Sequence, residues 1–84
     1  MSKKVLVVDD DQDVRSFVVT VLEQNGYSPV VACDGIEGME KIEAENPDLV
    51  ILDVLMPRGS GIRLYHKLKT EDRYKELPVI MFTG

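Results

Sequence analysis

Val5-Leu6-Val7-Val8-Asp9-Asp10 is the stretch on which the reading of the fold turns. Four apolar residues, three of them β-branched, run without interruption and end abruptly in acid. That length and branching predict a strand buried on both faces, as inside a parallel sheet. Leu49-Val50-Ile51-Leu52 repeats the signature and closes in Asp53. Pro29-Val30-Val31-Ala32 and Val79-Ile80-Met81-Phe82 read as two further strands.

Between the strands the periodicity changes. Val14, Phe17, Val18, Val21 and Leu22 fall at i, i+3, i+4, i+7 and i+8, the stripe of an amphipathic helix. Asp11 or Asp13 is placed to cap its start, and Asn25-Gly26 to end it. Asp34 precedes a second helix with Ile36, Met39 and Ile42 on one side, stopped by Asn46-Pro47. Residues 54–60, with Pro57, Gly59 and the nearby Gly61, read as a loop. In a third helix Ile62, Tyr65 and Leu68 are spaced by three, with Leu64 beside Leu68. The order β-α-β-α-β-α-β predicts an α/β fold with a parallel sheet and right-handed crossovers. No linker or repeat interrupts residues 1–84, so one domain is expected.

Composition narrows the function. The net charge is −5 and the pI about 4.7, with Asp9, Asp10, Asp11 and Asp13 clustered. Direct nucleic-acid binding by this segment is disfavoured, because phosphate contacts need a basic face. An acidic cluster suits a cation. The single cysteine, Cys33, excludes an internal disulfide and reads as a small buried residue. His66, between Tyr65 and Lys67, reads as a solvated surface residue. No apolar run is long enough for a membrane span or a signal peptide, so a cytoplasmic setting is expected. Neither a dinucleotide fingerprint nor a P-loop is present.

In an open parallel sheet, ligands bind beyond the carboxyl ends of the strands. Asp9 and Asp10 follow the first strand, Asp53 closes the third and Thr83 follows the fourth. If the first and third strands are neighbours, three carboxylates converge. Two unit charges about 4 Å apart repel by about 4 kcal/mol at an effective dielectric near 20. A hard divalent cation such as Mg2+ resolves that repulsion and lets an anionic phosphate approach a carboxylate nucleophile.

Val7-Val8-Asp9-Asp10-Asp11, Leu52-Asp53-Val54-Leu55-Met56-Pro57 with Gly61, and Met81-Phe82-Thr83-Gly84 together resemble the receiver domain of two-component response regulators. The resemblance covers the whole chain. It implies a flavodoxin-like sheet, here in the order 2-1-3-4, with Asp53 as phosphoacceptor. Asp9 and Asp10 would be the acidic Mg2+ pair, with Asp53 and the backbone carbonyl of Leu55 as further ligands. Thr83 would be the switch hydroxyl, and Met56-Pro57 the turn shaping the loop after Asp53. The phosphodonor would be a histidine kinase or phosphotransfer protein. Such a module is a signalling phosphoacceptor, at most catalysing its own phosphorylation and dephosphorylation.

A full receiver adds a final helix-strand-helix, including a lysine, that these residues do not carry. The chain therefore reads as a truncated receiver with slow phosphorylation and impaired switching. With this order, the first helix alone must cover one face of the sheet, while the second and third share the other. The fourth strand would be an apolar edge without blocking charges. Self-association through that strand or the uncovered face is expected. Two other readings compete. Asp9-x-Asp11 after a strand also resembles the start of haloacid-dehalogenase phosphatases, with Asp9 as nucleophile. An inert, oligomerising half-domain is the third reading.

Overall fold

The computed structural model describes residues 2–82. Strands β1 (Lys4–Val8), β2 (Ser28–Ala32), β3 (Leu49–Asp53) and β4 (Val79–Phe82) form one parallel sheet in the order β2-β1-β3-β4. Helices α1 (Gln12–Gln24), α2 (Gly35–Glu45) and α3 (Ser60–Thr70) connect them. The parallel sheet is the one the strand pattern predicts, and its order is the flavodoxin-like one that the resemblance to receivers implies. Short 3-10 turns at Pro57–Gly59 and Asp72–Tyr74, which periodicity does not reveal, flank α3.

β1 lies in the middle of the sheet, and Val5, Leu6, Val7 and Val8 are all buried. The core on the α2 and α3 side joins Leu6, Val8, Val50 and Leu52 to Met39, Ile42, Leu64 and Leu68. Each fully buried leucine or isoleucine there contributes roughly 1.5–3 kcal/mol. The helix starts follow from capping. Asp11 accepts hydrogen bonds from the Asp13 and Val14 amides at 2.8 and 3.4 Å, so Asp11 rather than Asp13 caps α1. Asp34 accepts from the Glu37 amide at 2.8 Å and caps α2. Asn46, in the left-handed region at φ 49°, ends α2 before Pro47.

The helix stripes are narrower than the sequence predicts. No residue of α1 is fully buried, and Phe17 is 69% exposed. Ile36 and Ile62 also face outward. In α3 the buried residues are Gly61, Leu64 and Leu68. Cys33 is exposed rather than buried, because it lies one residue beyond β2 at the mouth of α2. His66 is exposed, as expected. No helix among the described residues is long and apolar enough to cross a membrane.

Candidate functional site

Pairing of β1 with β3 aligns Val8 with Leu52, so the next residues, Asp9 and Asp53, arrive side by side at the carboxyl end of the sheet. Asp9, Asp10 and Asp53 each present a carboxylate oxygen within 4.8 Å of the others. Asp9 and Asp53 are buried and Asp10 is exposed. Magnesium–oxygen bonds of about 2.1 Å put the ligands of one ion roughly 3–4 Å apart. The three oxygens therefore fit one hard cation after a small inward movement, or with a water completing the shell.

Local hydrogen bonds hold Asp9 and Asp53 in place. The Asp9 amide donates to the Ala32 carbonyl at 3.1 Å, which extends the sheet by one residue. The Asp9 Oδ1 accepts from the Asp11 amide at 2.9 Å. The Asp53 Oδ1 accepts from the Leu55 amide at 2.9 Å, which leaves Oδ2 without a hydrogen-bonding partner among the described residues. Leu55 itself is exposed beside this bond. Met56 is buried in the core, and Pro57 starts the turn that carries the chain into α3. Arg58 and Gly59 are consecutive left-handed residues, at φ 61° and 65°, and they swing α3 back against β3. Gly61 then lies so close to the strand that a β-carbon on it would sit 2.1 Å from the Asp53 carbonyl oxygen. A groove of about 740 Å³, lined mainly by α2 and α3 residues including Met39 and Arg63, reaches the cluster only at Asp10. Thr83 lies outside the described residues.

Burial pushes the Asp9 carboxyl above its ordinary value of 3.8. The Asp11 amide opposes this, and the charges of Asp53, Asp10 and Asp11 add to it. The folded chain therefore holds the Asp9 proton to higher pH than the unfolded chain does. Its contribution to stability is complete below the unfolded value and is lost as pH rises through the folded one. A bound cation reverses that penalty by stabilising the ionised form. Added Mg2+ is accordingly expected to raise the melting temperature clearly at neutral pH, with the rise fading in acid as Asp9 takes up its proton. Calorimetric melts across pH, with and without the ion, measure this. A rise that is equal at both ends of the range would mean that the ion acts elsewhere.

The sequence profile of the response regulator receiver domain matches residues 5–84. The chain belongs to the response-regulator receiver family. Its similarity to the phosphate regulon transcriptional regulatory protein PhoB of Escherichia coli is 41% identity over all 84 residues. The chain spans 37% of that protein's length. The N-terminal domain of a response regulator receiver protein from Methanoculleus marisnigri superimposes with a TM-score of 0.89 at 38% identity, over 94% of this chain and 64% of that one. The chemotaxis response regulator CheY4 of Vibrio cholerae gives a TM-score of 0.89 at 33% identity, over 96% of this chain and 68% of that one.

Receivers are signalling modules with a phosphoacceptor fold rather than ordinary enzymes. They bind Mg2+ at an acidic cluster and accept phosphoryl groups from histidine kinases. The match sets this chain with the receivers rather than the haloacid-dehalogenase phosphatases. Arg15 is a neighbour of the receiver site that sequence reasoning passed over. Its Nη1 donates to the Asp9 backbone carbonyl at 2.7 Å. Its partner is a backbone atom, which leaves no mark on the sequence.

Proposed function

We propose that this chain is a receiver in which Asp53 accepts a phosphoryl group from a histidine kinase or phosphotransfer protein. The observation that carries the reading is the convergence of Asp9, Asp10 and Asp53 within 4.8 Å at the ends of two paired strands. The Leu55 amide holds Oδ1 of Asp53, and Oδ2 is the oxygen left for attack on phosphorus. The new P–O bond forms on Oδ2 as the donor's P–N bond breaks, and the imidazole leaves with the bonding electron pair. Asp9, Asp10, Asp53 and the Leu55 carbonyl would hold Mg2+. The ion supplies charge neutralisation for the incoming phosphoryl oxygens. Thr83, following β4, would offer its hydroxyl to a phosphoryl oxygen.

Intact-mass measurement after incubation with acetyl phosphate tests the reading. A gain of one phosphoryl group that requires Mg2+ is expected in the wild-type chain. The Asp9→Asn variant should retain the capacity at a reduced rate, because Asp9 serves the cation rather than the transfer. Absence of any gain in the wild-type chain would favour an inert assembly role instead.

Self-association belongs to the same proposal. Among the described residues β4 is hydrogen-bonded on one side only, and Ile80 and Met81 are 52% and 45% exposed. Phe17 and Val21 are exposed on α1 as well. Apolar surface of this kind is covered by pairing at the strand edge or by face-to-face packing. Light scattering coupled to size exclusion is expected to show a concentration-dependent dimer, weakened by Ile80→Lys. A monomer at every concentration would remove this part of the proposal.

A further inference from the structure

We propose that Arg15 is a positioning residue whose guanidinium holds the Asp9–Asp10 peptide so that both carboxylates face Asp53. The inference rests on the metal site proposed above and extends it to a residue outside the ligand set.

Arg15 is the fourth residue of α1, near the end of the helix where the dipole disfavours a cation. Asp9, Asp10, Asp11 and Asp13 all lie within six positions of it in sequence. Ordinary electrostatics would pair it with one of those carboxylates. Among the described residues no carboxylate oxygen lies within 4.0 Å of its guanidinium nitrogens. Its Nη1 is instead 2.7 Å from the Asp9 carbonyl oxygen, in a partly buried bond.

That oxygen belongs to the peptide unit joining Asp9 to Asp10. Its direction sets the plane from which the Asp10 side chain leaves the backbone. The other side of Asp9 is already tied, with its amide on Ala32 and its carboxylate on the Asp11 amide. Asp10 is exposed, and no hydrogen bond holds its own carboxylate among the described residues. Arg15 is therefore the fixed point on the Asp10 side of the turn. A guanidinium suits this role, because it stays charged and its planar fork is pre-organised. Bound to a carbonyl, it leaves the acidic oxygens free for a cation.

The test turns on a sign. Removing a positive charge makes the surroundings of the acids one unit more negative, and charge alone would then tighten cation binding. Loss of positioning weakens it. Titration calorimetry with Mg2+ alone, on the Arg15→Met variant, is expected to show affinity reduced about tenfold, as for other groups that orient metal ligands. Arg15→Lys keeps the charge and a donor, and should recover most of that loss.

A second readout needs no metal. In Arg15→Met, 15N relaxation should show new backbone motion at Asp10 and Asp11, with the β3 amides unchanged. Unaltered or tighter Mg2+ binding by Arg15→Met, with Asp10 still rigid, would overturn the inference while leaving the metal site standing. A wild-type chain that binds no Mg2+ would overturn both.

Discussion

Asp53→Asn is expected to abolish phosphoryl acceptance and, in metal-free buffer, to raise the melting temperature. The two effects have one cause. Asp53 is 6% exposed and shares a small volume with Asp9 and Asp10. At such separations each pair of like charges repels by a few kcal/mol at an effective dielectric near 20, before screening. The amide removes that charge and still offers an oxygen to the Leu55 amide in place of Oδ1. Its NH2 group adds a donor facing two acceptors. A stabilisation of about 1–2 kcal/mol follows after screening, or roughly 5–10 °C for a domain of this size. The gain should shrink when Mg2+ is added, because the ion offsets the same repulsion in the wild-type chain. A destabilised Asp53→Asn chain would show that the three acids are not held together in solution. Such an exchange of stability for function is common where a site concentrates like charges.

Gly61→Ala is expected to act in the opposite direction to its helix propensity. Within a helix, alanine is favoured over glycine by about 1 kcal/mol. Gly61 is the second residue of α3, and its backbone needs no left-handed conformation. Propensity alone would make the substitution stabilising. The added β-carbon, however, would lie 2.1 Å from the Asp53 carbonyl oxygen and 3.3 Å from the Met56 Cε. The nearer atom is backbone, so α3 or the end of β3 has to move. Overpacking of this kind costs about 1–3 kcal/mol. A fall of roughly 10 °C in melting temperature is expected, with slower phosphorylation because the displaced residue is Asp53 itself. Calorimetric melts and acetyl phosphate kinetics on the variant measure both. An unchanged or raised melting temperature would mean that α3 does not press on the strand end.

The sequence made the strands legible because their signal is local. β-Branched runs ending in acid locate β1 and β3, and acids at 11 or 13 and at 34 locate two helix starts through capping, although only the structure singles out Asp11. The site residues were legible for a related reason. Acids at the ends of adjacent parallel strands have to converge, whatever the details of packing. Residue roles went further, and rested on resemblance to receivers. The extent of helix burial was not legible. A stripe marks which side of a helix is apolar, but the width of sheet beneath it decides how much is covered. Phe17 and Ile62 belong to their stripes and remain 69% and 58% exposed. Cys33 reads as buried but is exposed, because its burial depends on where β2 ends, one residue earlier. Gly61 was visible as a glycine, but not the carbonyl pressed against it.

The most direct measurement is the location of the phosphoryl group. Borohydride reduces an aspartyl phosphate and leaves a free carboxylate untouched, so peptide mass mapping after treatment marks the acceptor. The wild-type chain, incubated with acetyl phosphate and Mg2+, is expected to be reduced at position 53 and at no other aspartate. Reduction at Asp9 with Asp53 unmodified would contradict the assignment of acceptor and cation ligand that the whole site depends on.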